Sequence, residues 1–102
     1  MQTFKVEINP SARADIEELT DWIRGKLSLE EGDKYLNAMI GEVQSLSFFA
    51  NLYKPSHYED VCRYHPQACR MVSHNKKWIY IFHTEDDIVV VDRIRPAKLI
   101  KK

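Results

Sequence analysis

The first fifty residues show two hydrophobic periodicities, one typical of a strand and the other of helices. Apolar and charged residues alternate from Phe4 to Ile8, which is the period-two pattern of a half-buried strand. Asn9 and Pro10 follow, and because Asn favours a helix N-cap and Pro the first helical position, a helix is predicted to begin there. Gly25 is its predicted C-cap. The apolar stripe of this helix is Ala12, Ile16, Leu19 and Ile23.

A second helix is predicted from Ser28 to about Ala50. Ser28 followed by Glu30 and Glu31 is typical of a capping box. The connection to the first helix is short, so the two helices are expected to form an antiparallel hairpin with one shared apolar face. The stripe of the second helix is Leu36, Met39, Ile40, Val43 and Leu46.

Three short runs rich in β-branched and aromatic residues follow nearer the C-terminus. They span Cys69 to Ser73, Trp78 to His83 and Ile88 to Ile94, and the polar connections between them are short enough for hairpin turns. An antiparallel meander needs a cover on its hydrophobic face, which the helical hairpin supplies. The prediction is an α+β domain of order β-α-α-β-β-β, with the helical hairpin packed on a small, mainly antiparallel twisted sheet. Residues 51–67 have no sustained period, and their structure is left open.

Alternation divides the side chains of the middle run of the meander into two sets. Trp78, Tyr80 and Phe82 share one face, whereas Ile79, Ile81 and His83 share the other. If the aromatic side chains pack on the helices, the open face presents two isoleucines beside His83, an apolar groove that suits a partner's helix or strand. If the faces are reversed, His83 lies near the core and its functional interpretation weakens.

Length and composition limit the class of protein. The 102 residues, of which 44% are hydrophobic, fit a single domain covering residues 1–102. No apolar run is long enough to span a bilayer, and the N-terminus lacks the pattern of a signal peptide, so we expect a cytoplasmic protein without a membrane anchor. Cys62 and Cys69 do not form a C-x-x-C motif and are expected to be free thiols.

Charge is balanced overall but divided unevenly along the chain. Residues 1–60 carry six Lys or Arg against eleven Asp or Glu, and residues 61–102 carry nine against four. Arg93 and Arg95 are predicted to share a face with Val89 and Val91, and Lys98, Lys101 and Lys102 follow them. This basic half either binds an acidic partner or is an ordinary solvated surface.

One possible metal site is weighed against this interpretation. Cys62, His65, Cys69 and His74 supply four soft ligands within a short stretch, which is the composition of a structural zinc site. The second Cys/His pair straddles a predicted strand, and the spacing is not that of paired zinc knuckles. We therefore expect no metal and no cofactor.

The order of elements and several motifs resemble a known family. The helix that begins Pro-Ser-Ala-Arg-Ala-Asp-Ile-Glu-Glu-Leu, the Arg-x-Val at Arg70, and the run Tyr-Ile-Phe-His-Thr-Glu-Asp-Asp-Ile-Val-Val-Val are similar to those of the RelE/ParE toxin superfamily. The resemblance covers essentially the whole chain. It implies the toxin of a type II toxin–antitoxin pair that inhibits growth, stabilises plasmids and is neutralised by an antitoxin in a hetero-oligomer. Family members act on DNA gyrase or cleave ribosome-bound mRNA.

The resemblance favours the gyrase-directed, ParE-like branch. Metal-free RNA cleavage needs a base, cations and an acid, for which the candidates here are His83, Arg70 and Arg93. Similar ribonucleases commonly carry Arg where this chain has Ile79, and they end in a Tyr or His that this chain lacks. The alternatives are a RelE-like mRNA endoribonuclease and a non-toxic protein that retains only antitoxin binding. The residues predicted to bind the antitoxin are Ile79, Ile81, Arg93, Arg95 and Lys98.

Overall fold

The computed structural model describes residues 3–99 and has the predicted α+β architecture. In chain order its elements are β1 (Lys5–Ile8), α1 (Pro10–Lys26), α2 (Leu29–Phe49), α3 (Glu59–Cys62), β2 (Cys69–Val72), β3 (Trp78–Glu85) and β4 (Ile88–Pro96), with 3₁₀ turns at Ala50–Leu52 and Ala97–Leu99. The four strands form one sheet in the order β1-β4-β3-β2. β1 runs parallel to β4, and the other pairs are antiparallel. The predicted order β-α-α-β-β-β is confirmed, with the short α3 added in the region left open.

The starts of both long helices lie where the capping residues predict them. The Asn9 side chain accepts a hydrogen bond from the Ser11 N–H (2.9 Å), and Pro10 is the first residue of α1. The Ser28 side chain accepts one from the Glu31 N–H (3.0 Å). The prediction that Gly25 caps α1 is wrong, because the helix continues to Lys26 and Leu27 closes it with negative φ.

The helices cover one face of the sheet with an apolar core. Trp78, Tyr80 and Phe82 of β3 are buried there, against residues of α2 that include Met39, Val43 and Leu46. Within this core the Trp78 indole N–H donates to the Tyr80 hydroxyl, which donates to the Glu42 carboxylate, both at 2.9 Å. The first of the two face assignments, with the aromatic side chains toward the helices, is therefore confirmed.

The opposite face of the sheet is covered as well, by residues 56–67 of the segment that showed no periodicity; these residues form the covering segment. Ile79 and Ile81 are only 3% and 0% exposed, and they pack with Val61 and Ala68 in a second small core. The expectation that these isoleucines line an open groove is wrong, because α3 and the loop after it fold across them. Tyr58, Tyr64 and Ala97 complete this second core.

A β-bulge in β4 changes which of its side chains face the helices. Ile81 pairs with Arg93 whereas Phe82 pairs with Val91, so Asp92 is the additional residue. As a result Val91 and Ile94 both belong to the helix-side core. The prediction that Arg93 and Arg95 share a face with Val89 and Val91 is wrong for this reason. Of the predicted basic tail, Lys98 is exposed, while Lys101 and Lys102 lie outside the described residues.

Candidate functional site

The bulge at Asp92 places a buried carboxylate beside the histidine of β3. His83 Nδ1 lies 2.7 Å from an Asp92 carboxylate oxygen, and both residues are buried. The other ring nitrogen, Nε2, lies 3.1 Å from the Glu85 carboxylate. A carboxylate on each side fixes the orientation of the ring.

A second histidine covers His83 from the outside. His65, in the loop between α3 and β2, lies parallel to the His83 ring with 3.8 Å between the ring centroids. Its Nδ1 accepts a hydrogen bond from the Gln67 N–H at 3.0 Å. The His83 imidazole is therefore shielded from solvent by its neighbours, with only 8% of its side chain exposed.

Arg93, a predicted catalytic and partner-binding residue, is bound to helix α1. Its Nε and Nη2 donate to the two carboxylate oxygens of Asp15 at 2.8 and 3.0 Å. The Asp15 carboxylate raises the pKa of Arg93 through these bonds. Asp15 also accepts from the backbone N–H of Ile94 at 2.9 Å. Because Arg93 has this bidentate buried partner, its charge is compensated inside the protein.

Arg70, the remaining nuclease candidate, is held against a tyrosine of the covering segment. Its guanidinium carbon lies 4.4 Å from the centroid of the Tyr58 ring, which is cation–π geometry. One guanidinium nitrogen also donates to the Tyr58 hydroxyl at 3.4 Å. Arg93 has a looser contact of this kind with Tyr64, at 5.8 Å. Thus His83, Arg70 and Arg93 all contact partners within the chain.

A large concave surface lies elsewhere, between α1 and the end of the sheet. It is an open groove of about 960 Å³. Its apolar lining includes Trp22 and Leu27, whose side chains are 62% and 64% exposed. The charged groups around it are Lys26, Lys76, Lys77, Arg95 and Lys98, with Asp15 and Glu18 from α1. The groove therefore combines exposed apolar surface with predominantly positive charge.

The edge of β4 beside this groove is protected against pairing with another strand. β1 pairs with β4 only as far as Val91, which leaves the following residues of β4 without a paired strand on that side. The Asp15 carboxylate accepts a hydrogen bond from the Ile94 N–H, and Pro96 has no N–H to donate. Because the edge donors are used or missing, the groove favours a partner's side chains over an added strand.

The four residues weighed as a zinc site are not brought together. Cys62 and Cys69 are free thiols; Cys62 donates to the Ser56 carbonyl (2.7 Å), and Cys69 belongs to the helix-side core. Burial raises the pKa of the Cys69 thiol. His74 lies exposed in the turn between β2 and β3. Only His65 of this set belongs to the candidate ligand cluster found within residues 3–99, and its partners there are His83 and Glu85.

Comparison with known proteins places this arrangement in a family. The model of the family described as the ParE toxin of the type II toxin–antitoxin system parDE matches residues 6–98. The chain belongs to the ParE toxin family. The match includes both long helices and all but the first residue of the sheet, so membership concerns the whole fold and not a single motif.

Solved structures confirm the ParE-type fold. A chain from the chromosomal ParDE system of P. aeruginosa superposes with a TM-score of 0.78 at 16% identity, over 92% of this chain and 96% of that one. A chain of the RelBE2 toxin–antitoxin complex from Mycobacterium tuberculosis gives 0.60 at 17% identity, over 92% and 98%. No curated protein matches the sequence significantly. Among the described residues, the helices of this ParE-family chain are too short or too polar to cross a membrane.

Three acidic residues of these sites were missed by the sequence analysis. No role was predicted for Asp15 or Asp92, and Glu85 was predicted only to lie in the polar connection between two strands. The available signal was the apolar pattern itself, since Asp15 is next to Ile16 and Asp92 interrupts the run Ile88 to Ile94. A carboxylate within such a run indicates a buried partner, although it does not identify which one.

Proposed function

We propose that this ParE-family protein inhibits growth by acting on DNA gyrase, and that a cognate antitoxin neutralises it. Family membership supports the class of toxin, and the state of the sheet face supports the choice of target. The observation that carries this choice is that Arg70, His83 and Arg93 are each held by a partner within the chain, namely Tyr58, Asp92 and Asp15. A nuclease would need such groups free to approach a phosphate and a ribose hydroxyl.

The test of the target compares two purified systems. The protein is expected to inhibit gyrase-catalysed supercoiling of plasmid DNA and to leave ribosome-bound mRNA intact. His83→Ala and Arg70→Ala are expected to retain gyrase inhibition. Codon-positioned cuts in the mRNA that disappear in both variants would contradict the proposal and identify a ribonuclease.

The ribonuclease alternative is retained because of one observation. The 2.7 Å contact between His83 and Asp92 is the geometry in which a carboxylate orients a catalytic imidazole. For RNA to reach that imidazole, His65 and the loop that carries it must move away from β3. The mRNA assay above decides between the two functions.

The antitoxin is proposed to bind the groove beside α1. An amphipathic acidic segment fits this surface, because its apolar side covers Trp22 and Leu27 while its carboxylates meet Arg95 and Lys98. This proposal keeps Arg95 and Lys98 as predicted contacts. Ile79, Ile81 and Arg93 are predicted contacts too, but the isoleucines are reachable only if the covering segment is displaced.

Binding is tested with the small product of the gene next to the toxin gene. Trp22→Ala is expected to weaken binding by about 2 kcal/mol or more, because exposed aromatic residues in apolar grooves are typical hot spots. Phe48→Ala is the matched control, since Phe48 is a similarly exposed aromatic residue of α2 outside the groove. Arg95→Ala is expected to cost less and to reduce the salt dependence. Equal binding by Trp22→Ala and the parent protein in calorimetric titration would contradict the assigned surface.

Growth measurements test toxicity separately from these contacts. Expression of the chain alone is expected to arrest growth, and coexpression of the adjacent gene is expected to restore it. Normal growth at confirmed soluble expression, together with retained binding to the gene product, would instead identify a protein that keeps antitoxin binding without toxicity.

A further inference from the structure

Three potential metal ligands meet where the covering loop crosses β3. One ligand atom each from His65, His83 and Glu85 lies within 4.8 Å of the other two. Two imidazoles and one carboxylate form a ligand set that zinc uses when a fourth position is left for water or another group. We propose that these three side chains bind one Zn²⁺ or a similar divalent transition-metal ion.

Asp92 gives His83 the orientation that a metal ligand needs. Histidines that bind metals usually donate their other ring N–H to a carboxylate, and His83 Nδ1 lies 2.7 Å from Asp92. This contact directs Nε2 toward Glu85, 3.1 Å away. Because Nε2 faces the Glu85 carboxylate, a cation placed between them would contact both groups. A metal ion at that position is bound by both His83 Nε2 and the Glu85 carboxylate.

The distances require a small local movement. Ligands at about 2.0–2.2 Å from a tetrahedral metal are roughly 3.4 Å from each other. The His83–Glu85 pair already has a comparable separation, at 3.1 Å. The widest separation in the group, at most 4.8 Å, must shorten by up to about 1.4 Å to reach the tetrahedral value.

His65 is the ligand that moves. Its ring is parallel to that of His83, so one metal ion cannot lie in the plane of both rings until His65 turns. His65 is half-buried in a loop and accepts a hydrogen bond from the Gln67 N–H. Because Gln67 is exposed, water can replace His65 as the acceptor when the ring turns. Since β3 fixes the other two ligands, the bound ion joins the covering loop to the sheet. This inference does not depend on the proposed function.

The test uses the full chain, freed of metal with a chelator and titrated with Co²⁺. Saturation at one equivalent is expected, with the visible absorption of four-coordinate Co²⁺ and displacement by Zn²⁺. His65→Ala and Glu85→Gln change residues that are not fully buried, and both are expected to abolish Co²⁺ binding. Asp92→Asn is expected to weaken binding about 10- to 100-fold. His57→Ala and His74→Ala are the matched controls at the remaining two histidines and are expected to bind as the parent does.

Circular dichroism confirms that each variant is folded, and the temperature of unfolding gives a second measurement. Added Zn²⁺ is expected to raise the unfolding temperature of the parent chain but not that of His65→Ala or Glu85→Gln. Absence of saturable binding at one equivalent would overturn the proposal, as would unchanged binding by both variants. Loss of binding in Cys62→Ser or Cys69→Ser would also overturn it, because it would assign the metal to the thiols.

Discussion

The two faces of the sheet are both buried, but by different kinds of structure. On one face, two long helices cover Trp78, Tyr80 and Phe82 with continuous apolar stripes. On the other, a single turn of helix and a loop cover Ile79 and Ile81. The first cover is regular, extensive and mostly apolar, whereas the second combines a small apolar core with aromatic, cationic and carboxylate contacts.

This difference has a consequence for function. A helix-side core gains most of its stability from burial of apolar area, which scales with the length of the helices. The loop side depends on individual contacts, namely Tyr58 with Arg70, Tyr64 with Arg93, and His65 with His83. Contacts of this size are worth about 1 kcal/mol each, so the loop side is expected to open at lower free energy than the helix side. Of the nuclease candidates, His83 is buried under this weaker cover, and Arg70 and Arg93 contact its tyrosines.

The largest expected effect compares one buried aliphatic residue from each side. Leu46→Ala and Ile81→Ala both remove a side chain with 0% exposure. Both are expected to lower the free energy of unfolding by about 2–5 kcal/mol, with Leu46 near the upper end and Ile81 near the lower. The reason is that the loop can collapse into a cavity, whereas a 21-residue helix packed along its length cannot.

Urea unfolding measures this difference, with equal m values as the check that the compared states are alike. Leu52→Ala is the control on the surface, because the Leu52 side chain is 76% exposed, and it is expected to change stability by less than about 0.5 kcal/mol. A cost for Ile81→Ala that equals or exceeds that for Leu46→Ala would show that the loop cover is as rigid as the helices.

The helix side of the sheet was predicted from the sequence more completely than the loop side. Period-two and period-3.6 patterns predicted the strands and the helices, and they divided the side chains of β3 into two faces, because a long apolar stripe is buried as a unit. Residues 51–67 carry no such period, so their position over Ile79 and Ile81 was not predicted. The bulge at Asp92 was missed as well, since one additional residue changes the face of all the side chains after it without changing composition.

The candidate sites were predicted less completely than the fold for a related reason. His83 and Arg93 were predicted as site residues from the sequence, but the side chains that hold them were not, and the partner of Arg93 is remote in sequence. Asp15 is 78 residues from Arg93, and no local spacing connects them. Arg95 and Lys98 do lie at a groove, yet the exposed Trp22 on its other wall came from a helix whose sequence was interpreted only for its core stripe.

The next effect in size concerns the link between α1 and β4. Asp15→Asn is expected to lower the free energy of unfolding by about 1–3 kcal/mol. The neutral amide cannot both neutralise the charge of Arg93 and accept the hydrogen bond from the Ile94 N–H. The partial exposure of Arg93 keeps the estimate below that for a fully buried pair. Glu18→Gln, at an exposed position of the same helix, is the control. Equal unfolding midpoints for Asp15→Asn and Glu18→Gln would contradict the assigned role.

A pH effect distinguishes the helix-side core. Burial raises the pKa of Tyr80, so the folded state keeps the hydroxyl proton at a pH where the unfolded chain, with a tyrosine pKa of about 10, has lost it. The unfolded state then binds fewer protons, and stability falls as the pH rises above about 10, by up to about 1.4 kcal/mol per pH unit. Tyr80→Phe is expected to lower stability by about 1 kcal/mol at neutral pH and to remove this slope. Parallel curves of unfolding free energy against pH for the two proteins would contradict it.

The smallest expected effect tests whether the loop side opens by itself. Tyr58→Leu keeps apolar volume but removes the ring that lies 4.4 Å from the Arg70 guanidinium, a contact worth about 0.5–1 kcal/mol. Amides of the cover, such as Ser56 N–H bonded to the Ala68 carbonyl, are therefore expected to exchange with solvent about 2- to 5-fold faster. Amides of α2 near Val43 are expected to keep their rates, because that helix packs on the other face. If hydrogen exchange accelerates equally in both places, the cover opens only when the whole domain unfolds, and the two faces form a single cooperative unit.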